Sequence, residues 1–484
     1  MENPCGVRPF GLPPPFWAAP YPGEPKVNKP APTSSQPAQL KPELGLRDLT
    51  LFAIAFIVGP RWIAIAAHAG PGSILLWIVA AVLFAAPLGV AVAALLQKYP
   101  GAGGLYLWTR NDFGPWHGFL AFWIYWFGIA LTLPGSVMFA VSMSAYTFGP
   151  SFAHLADSRV YVLVVSLAVI WIAIGTNLVG MKIGKWTENA GGITSWILGA
   201  LLVAVAALVW SHRGSATPLH LWQASNWSGL NWDTLGFFGA IAFALSGMEV
   251  LGLMGSEIRS PERTVVPATW IGTVFATVFY AATTIALLVL LAPASISELH
   301  GLADGANAVA RLFGLSWLTP LVAVLVMING IGGFGAFGAS VSRMPYAAGV
   351  DTLLPAIFAR VHPRWNVPHI SILVFGGVAS VLLVVIQLGD TMRAAYQSLV
   401  SLMVLAGFIP YIYIFASAWK CGRRIAATAG MAVTLLTLVS SAVPTPEVTK
   451  VWLFEFKLAF VTALIIVSAW LVYRRHKPAR SAQI

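Results

Sequence analysis

Charge is what this sequence has least of. Asp, Glu, Lys and Arg make up 9% of its 484 residues, against roughly 25% in soluble domains, so an ordinary soluble fold is excluded. Cysteine is nearly absent. Cys5 and Cys421 cannot make a disulfide scaffold or a metal quartet, and both fall in segments read as cytoplasmic. The nine histidines sit near span ends or in loops, without metal-ligand helical spacing to an acid. No metal and no cofactor is expected, apart from a coupling ion. Short alternating apolar and polar segments are missing as well, which argues against a transmembrane β-barrel.

What is present is long apolar sequence, 58% of the residues being hydrophobic. A membrane-crossing helix takes about 20 such residues. The pattern reads as twelve spans, at roughly 48–68, 73–97, 116–146, 159–178, 188–210, 233–256, 265–291, 315–341, 368–388, 393–417, 424–443 and 451–473. The chain is thus expected to be an all-α polytopic membrane protein. Residues 1–46, with Pro13-Pro14-Pro15 and further prolines from Pro30 to Pro42, read as a disordered cytoplasmic arm without a signal peptide.

The formal charge of +11 would suggest a nucleic-acid partner in a soluble protein. Here it reports topology. With the N-terminus inside, 21 of the 28 Lys and Arg residues fall on the cytoplasmic side, the basic tail 474–484 included, and five on the other. That asymmetry is the positive-inside pattern. The expected partners are a small-molecule substrate and the lipid bilayer, not nucleic acid. The expected location is the plasma (cell inner) membrane, with both termini cytoplasmic. The sequence sets no oligomeric state.

Two spans carry helix-breaking sequence near mid-depth. Span 1 reads Ile57-Val58-Gly59-Pro60-Arg61-Trp62, where proline removes a donor and obstructs the preceding turn. Span 6 reads Phe243-Ala244-Leu245-Ser246-Gly247-Met248-Glu249. The two lie five spans apart, and an odd period inverts a repeat across the membrane. Paired interrupted helices in two inverted halves point to a transporter binding site. Amino ends of half-helices offer N–H groups to a carboxylate, and carboxyl ends offer C=O groups to an ammonium or a cation.

Arg61 and Glu249 are the deepest charges, and such residues face a cavity or a partner. Two readings of each stay open. Arg61 snorkels or pairs with Glu249, or else it recognises an anion or stands in for a bound cation. Glu249 bonds to unwound backbone, or it takes up and releases a proton. Asn329 in span 8 reads as a helix–helix hydrogen bond, with coupling as the alternative.

Four stretches in order resemble the amino acid–polyamine–organocation superfamily of secondary transporters. They are the broken span 1 ending in Gly70-Pro71, then Tyr99-Pro100-Gly101-Ala102-Gly103-Gly104-Leu105-Tyr106 with Phe113-Gly114-Pro115, then Ser246-Gly247-Met248-Glu249 followed by Glu257 to Thr264, and finally Ser342-Arg343-Met344-Pro345-Tyr346-Ala347 with Asp351 to Pro355. The resemblance covers residues 48 to 370. It implies the leucine-transporter fold, with a first inverted repeat over 47–210 (spans 1–5), a second over 211–417 (spans 6–10), and two further spans over 418–473. It also implies substrate contact by the backbone of Val58, Gly59, Pro60, Arg61 and Trp62 in span 1 and by Leu245, Ser246 and Gly247 in span 6. Phe243 matches the family's gating aromatic, and Gly128, Ile129 and Leu133 match the span 3 wall. Where some relatives carry a coupling lysine in span 5, this chain has Thr194-Ser195, so proton coupling, sodium coupling and exchange all stay open. The family's small-residue run in span 1 is here Gly59-Pro60-Arg61: proline deletes one N–H that could hold a carboxylate, and arginine either fills the space or replaces that contact with a guanidinium fork.

The first functional reading is a secondary active transporter that moves amino acids, or closely related carboxylate-bearing amines, by alternating access. The alternatives are a polyamine or organocation transporter and an amino acid/product exchanger. A polycation would need several cavity carboxylates, and only Glu249 lies deep in a span. A transport-like sensor would need an output domain that the arm and tail are too short to form. A membrane enzyme would need a nucleophile, base or metal set in the bilayer, and a channel would need a continuous polar stripe. Neither pattern is found.

Overall fold

The computed structural model describes residues 44–99, 103–179, 181–219, 232–253, 258–259, 261–350, 353–387, 392–443 and 451–475. The arm up to residue 43, the tail from residue 476, Pro100 to Ala102, Glu257, Ser260, Asp351 and Thr352 lie outside the described residues. The described chain is helical, with one isolated parallel bridge between Leu44 and Ile258. Among the described residues nine helices are long and apolar enough to cross a membrane, and His369–Val384 is a shorter apolar one. The outward faces expose large apolar side chains, among them Val164, Trp171, Val278, Val381 and Phe460. In water such a surface would drive association. Against lipid it is the favoured one, because each helix satisfies its own backbone hydrogen bonds.

The expected span 1 forms two helices, α1 (Leu46–Ile57) and α2 (Arg61–His68). Span 2 is α3 (Ser73–Lys98), which widens into a π-turn over Ala81–Ala85. Pro87 follows at once and has no N–H to return to the preceding turn, a common cause of such a distortion. A short helix, α4 (Leu105–Phe113), precedes α5 (Pro115–Ser144), α6 (Arg159–Leu178) and α7 (Met181–Arg213). The second broken element is α8 (Trp232–Ala244) with α9 (Val250–Leu253). Then come α10 (Pro261–Leu290), α11 (Gly301–Phe313), α12 (Leu318–Val341) and α13 (Arg343–Val350). The remainder is α14 (His369–Gln387), α15 (Met392–Lys420), α16 (Arg424–Ser441) and α17 (Val451–Arg475). The bounds expected for α6 match to the residue. The connecting helices α4, α11 and α13 were not expected, because they are too short or too polar to register as spans.

Small residues set the closest approaches. A Cβ on Gly191 of α7 would lie 2.9 Å from the Cα of Gly332 in α12. A Cβ on Gly128 of α5 would lie 3.0 Å from the Ala406 carbonyl carbon in α15. Packing without a hydrophobic driving force relies on such contacts. The stretch from Tyr99 to Pro115 acts on the second break. The Trp108 ring covers the backbone at Gly252 so closely that a Cβ there would sit 2.6 Å away. Asp112 fixes α4 by accepting from Lys98 Nζ at 3.0 Å and Tyr99 OH at 2.7 Å. Its carbonyl also accepts from Lys420 Nζ of α15 at 2.7 Å. The arm expected to be disordered through residue 46 is fixed at its end. Leu44 is buried, and its carbonyl accepts from Arg259 N at 2.9 Å.

In α11, burial holds the half-buried Asp304 carboxyl above its ordinary value, against the opposing effect of His300. A raised folded-state value favours the neutral form. The resulting stability is present below the unfolded value of about 3.9 and is lost as pH rises through the folded one. Asp304→Asn is therefore expected to raise the melting temperature at neutral pH. Melting curves from pH 8 downward should show that gain shrinking as the acid range is reached. A gain independent of pH would locate the effect elsewhere.

Candidate functional site

Both breaks are held open by side chains from other helices. At the first, the Val58 N–H still closes α1 on Ile54 O at 2.8 Å, but Val58 is extended and Pro60 has no N–H to continue the ladder. The hydroxyl of Tyr280, from α10, fills the gap. It donates to Ile57 O at 2.8 Å and accepts from Gly59 N at 2.8 Å. Trp77 of α3 stacks on the Tyr280 ring with centroids 4.4 Å apart and anchors its indole N–H on Thr284 at 3.1 Å. Trp62 N and Ile63 N bond back to Gly59 O and Pro60 O. The backbone donors expected to meet a substrate carboxylate are thus largely engaged: Gly59 N by Tyr280, and two first-turn amides by the chain's own carbonyls.

At the second break Gly247 adopts φ +110°, a conformation open to glycine. The Phe56 ring also lies where a side chain would begin, 2.7 Å from an added Cβ. Ser246 Oγ donates to Phe243 O at 2.6 Å, closing α8. Glu249 turns its carboxylate back over the break. Oε2 accepts from Gly247 N at 3.2 Å, and Oε1 accepts from Tyr411 OH of α15 at 2.8 Å and from Tyr125 OH of α5 in a short bond. Two phenols and the Gly247 amide therefore converge on this carboxylate. The carboxylate thereby ties the second break to α5 and α15.

Two adjoining cavities meet at the breaks. The first, about 60 Å³, is lined by Gly59, Arg61, Trp62, Tyr125, Ser246, Gly247, Glu249 and Tyr411 among others, with Phe243, Gly128 and Ile129 also on its wall. The second, about 40 Å³, is lined by Val58, Pro60, Leu133 and Asn329, and shares Phe56, Gly59, Arg61, Ser136 and Phe337 with the first. Each has room for a handful of waters. Arg61 is 3% exposed, and its guanidinium lies 4.2 Å over the Trp62 ring, with Nη2 3.3 Å from the Met403 sulfur. Trp62 in turn tilts against Phe243, centroids 5.6 Å apart. The Phe243 ring covers the backbone at Gly407.

The structure thus brings together most of the residues expected from the sequence. Leu245 differs: it is fully buried and packs in the core. Thr194 bonds to Ala190 O and Gly191 O within α7. Ser195 Oγ donates to Gly191 O and accepts from Asn329 Nδ2 at 2.7 Å. Asn329 Nδ2 also reaches Gly191 O at 3.1 Å, which makes it the expected helix–helix bond between α12 and α7. Tyr125, Tyr280, Met403 and Tyr411 were missed. Tyr125 could have been found, since it lies one turn before Gly128 and Ile129 on the same helix. Nothing local marks Tyr280 or Tyr411, whose roles depend on partners 223 and 162 residues away in sequence.

A family model described as amino acid permease matches residues 44–443. An uncharacterised transporter of Legionella pneumophila is 26% identical over 384 residues, covering 78% of this chain and 81% of the relative. The gamma-aminobutyric acid permease of Escherichia coli is 25% identical over 374 residues, 73% of this chain and 75% of the relative. A probable agmatine/putrescine antiporter of Lactococcus lactis is 22% identical over 380 residues, 78% of this chain and 80% of the relative. With two broken helices facing one cavity inside a multi-pass apolar bundle, the chain belongs to the amino acid permease family of the amino acid–polyamine–organocation superfamily, and is a membrane transporter rather than an enzyme.

Proposed function

We propose that this chain is a secondary active transporter for zwitterionic amino acids or closely related carboxylate-bearing amines, working by alternating access across a plasma membrane. The reading includes twelve spans, two inverted five-span repeats and cytoplasmic termini. The observation that carries it is one cavity lined by both a guanidinium, Arg61, and a carboxylate, Glu249. A zwitterion uses both, whereas a polyamine has no use for the arginine. A thioether is a weak acceptor, so a substrate carboxylate would replace the Met403 contact with a charge-assisted pair. Glu249 presents its carboxylate to the same cavity, as the counter-charge for a substrate ammonium.

In this reading Gly59 and Gly247 keep the backbone close to the ligand, and Phe243 with Trp62 covers it. Glu249 is the group proposed to carry a coupling proton, with Thr194, Ser195 and Asn329 as the alternative for a cation. Relatives that bear the names gamma-aminobutyric acid permease and agmatine/putrescine antiporter keep both an amino acid and an amine in view.

Arg61→Ala separates the two. Losing a charged hydrogen-bonding partner costs about 1.5–3 kcal/mol, so amino acid affinity should fall roughly 10- to 100-fold, while the matching decarboxylated amines change little. Thermal-shift titration of purified protein reads both, because ligands of the folded state raise the melting temperature. Stabilisation by polyamines alone, with amino acids inert, would overturn the proposal.

A further inference from the structure

The two cavities differ in chemistry, and the difference bears on which amino acids fit. We propose that the chain selects neutral aliphatic amino acids, with the substrate's α-amino and carboxyl groups in the Arg61–Glu249 cavity and its side chain in the second cavity, past Phe56 and Phe337. The inference rests on the function proposed above and adds the substrate class.

The first cavity holds the charged and hydroxyl groups: Arg61, Glu249, Tyr125 and Tyr411. The wall of the second is built from Leu133, Phe139, Ala140, Val326 and Phe334. Among the described residues lining it, Arg61 at the junction is the one charged group. The two other polar side chains already have local bonds. Asn329 Nδ2 is spent on Ser195 and Gly191, and Ser136 Oγ donates to Thr132 O at 3.2 Å. Phe56 and Phe337, with ring centroids 4.0 Å apart, stand between the two compartments. Gly59, Arg61 and Ser136 line both compartments, so the two adjoin at these residues.

A cationic side chain placed there would meet Arg61 and no carboxylate, at a large desolvation cost. An acidic one would compete with the substrate's own carboxylate for the same guanidinium. An aliphatic one removes apolar surface from water and needs no partner. Each buried methylene then tightens binding about fourfold. The aromatic walls Phe139 and Phe334 and the small volume set an upper limit on size.

The test uses the full chain, purified in detergent, with equilibrium binding of glycine, alanine, valine, leucine, phenylalanine, lysine, glutamate and 3-methylbutylamine. Affinity should rise from glycine to leucine, on the order of 50-fold between alanine and leucine. Lysine and glutamate should bind at least tenfold more weakly than leucine. Phe139→Ala, which enlarges the second cavity, should shift preference toward phenylalanine. Ser136→Leu, which plugs the junction, should bring the leucine-to-alanine ratio close to one. If Phe139→Ala does not fold, the wild-type series and Ser136→Leu decide. A flat series, or lysine bound as tightly as leucine, overturns the substrate class while leaving amino acid transport intact. Failure of every amino acid to bind would sink both readings.

Discussion

Glu249→Gln is expected to lower the melting temperature by several degrees and to flatten the pH dependence of transport. The carboxylate accepts bonds from Tyr125, Tyr411 and Gly247. A glutamine side chain has one accepting oxygen and one donating NH2 group. With its oxygen toward the phenols, its NH2 faces the Gly247 N–H. Turned around, it faces two hydroxyls that must reverse to accept. Either way a buried donor is left without an acceptor, at a cost of about 1–3 kcal/mol. Pairing the variant with Tyr125→Phe in a double-mutant cycle isolates the bond itself. Additive losses would mean that these bonds do not act as a unit. An unaltered pH profile would remove Glu249 as the proton site, whatever happened to stability.

A second large effect is expected from Tyr280→Phe. The ring and its stack on Trp77 survive, and only the hydroxyl goes. That hydroxyl serves Ile57 O and Gly59 N at once, and both groups lie beside a proline that cannot restore the helix. Two bare backbone groups in a buried setting cost about 2–5 kcal/mol together. The variant should melt well below the parent and lose substrate stabilisation in the same titrations. A melting point equal to the parent's would show that the break holds its shape without the hydroxyl.

The positions of the breaks were legible in the sequence because their causes are local. Gly59-Pro60 removes a donor and a rigid turn from α1, and Gly247 supplies a conformation that other residues rarely adopt. The depth of Arg61 and Glu249 was legible for the same reason, as charges inside apolar runs. Their partners were not. The sequence left Glu249 between unwound backbone and a coupling role. The structure gives it a backbone contact at Gly247 and, in addition, two phenols from α5 and α15. The sequence also suggested backbone recognition of a carboxylate at the first break, and the Tyr280 hydroxyl now occupies the Gly59 amide there. That is why recognition by the Arg61 guanidinium gains weight.

The sequence alone determined the class of the molecule, the approximate extent of its apolar helices and the two places where they fail. Lipid solvation and backbone hydrogen bonding act over a single helical segment, so composition and spacing suffice to read them. Only the tertiary structure decided what surrounds the two breaks. It brought Tyr280 to the first break, Tyr125 and Tyr411 to Glu249, and Met403 to Arg61. It also divided the enclosed space into a charged compartment and an apolar one. Those juxtapositions depend on how helices far apart in the chain pack, often on close approaches at glycines such as Gly128 and Gly191. No local pattern encodes which side chain will arrive opposite another, because that is set by the packing of whole helices.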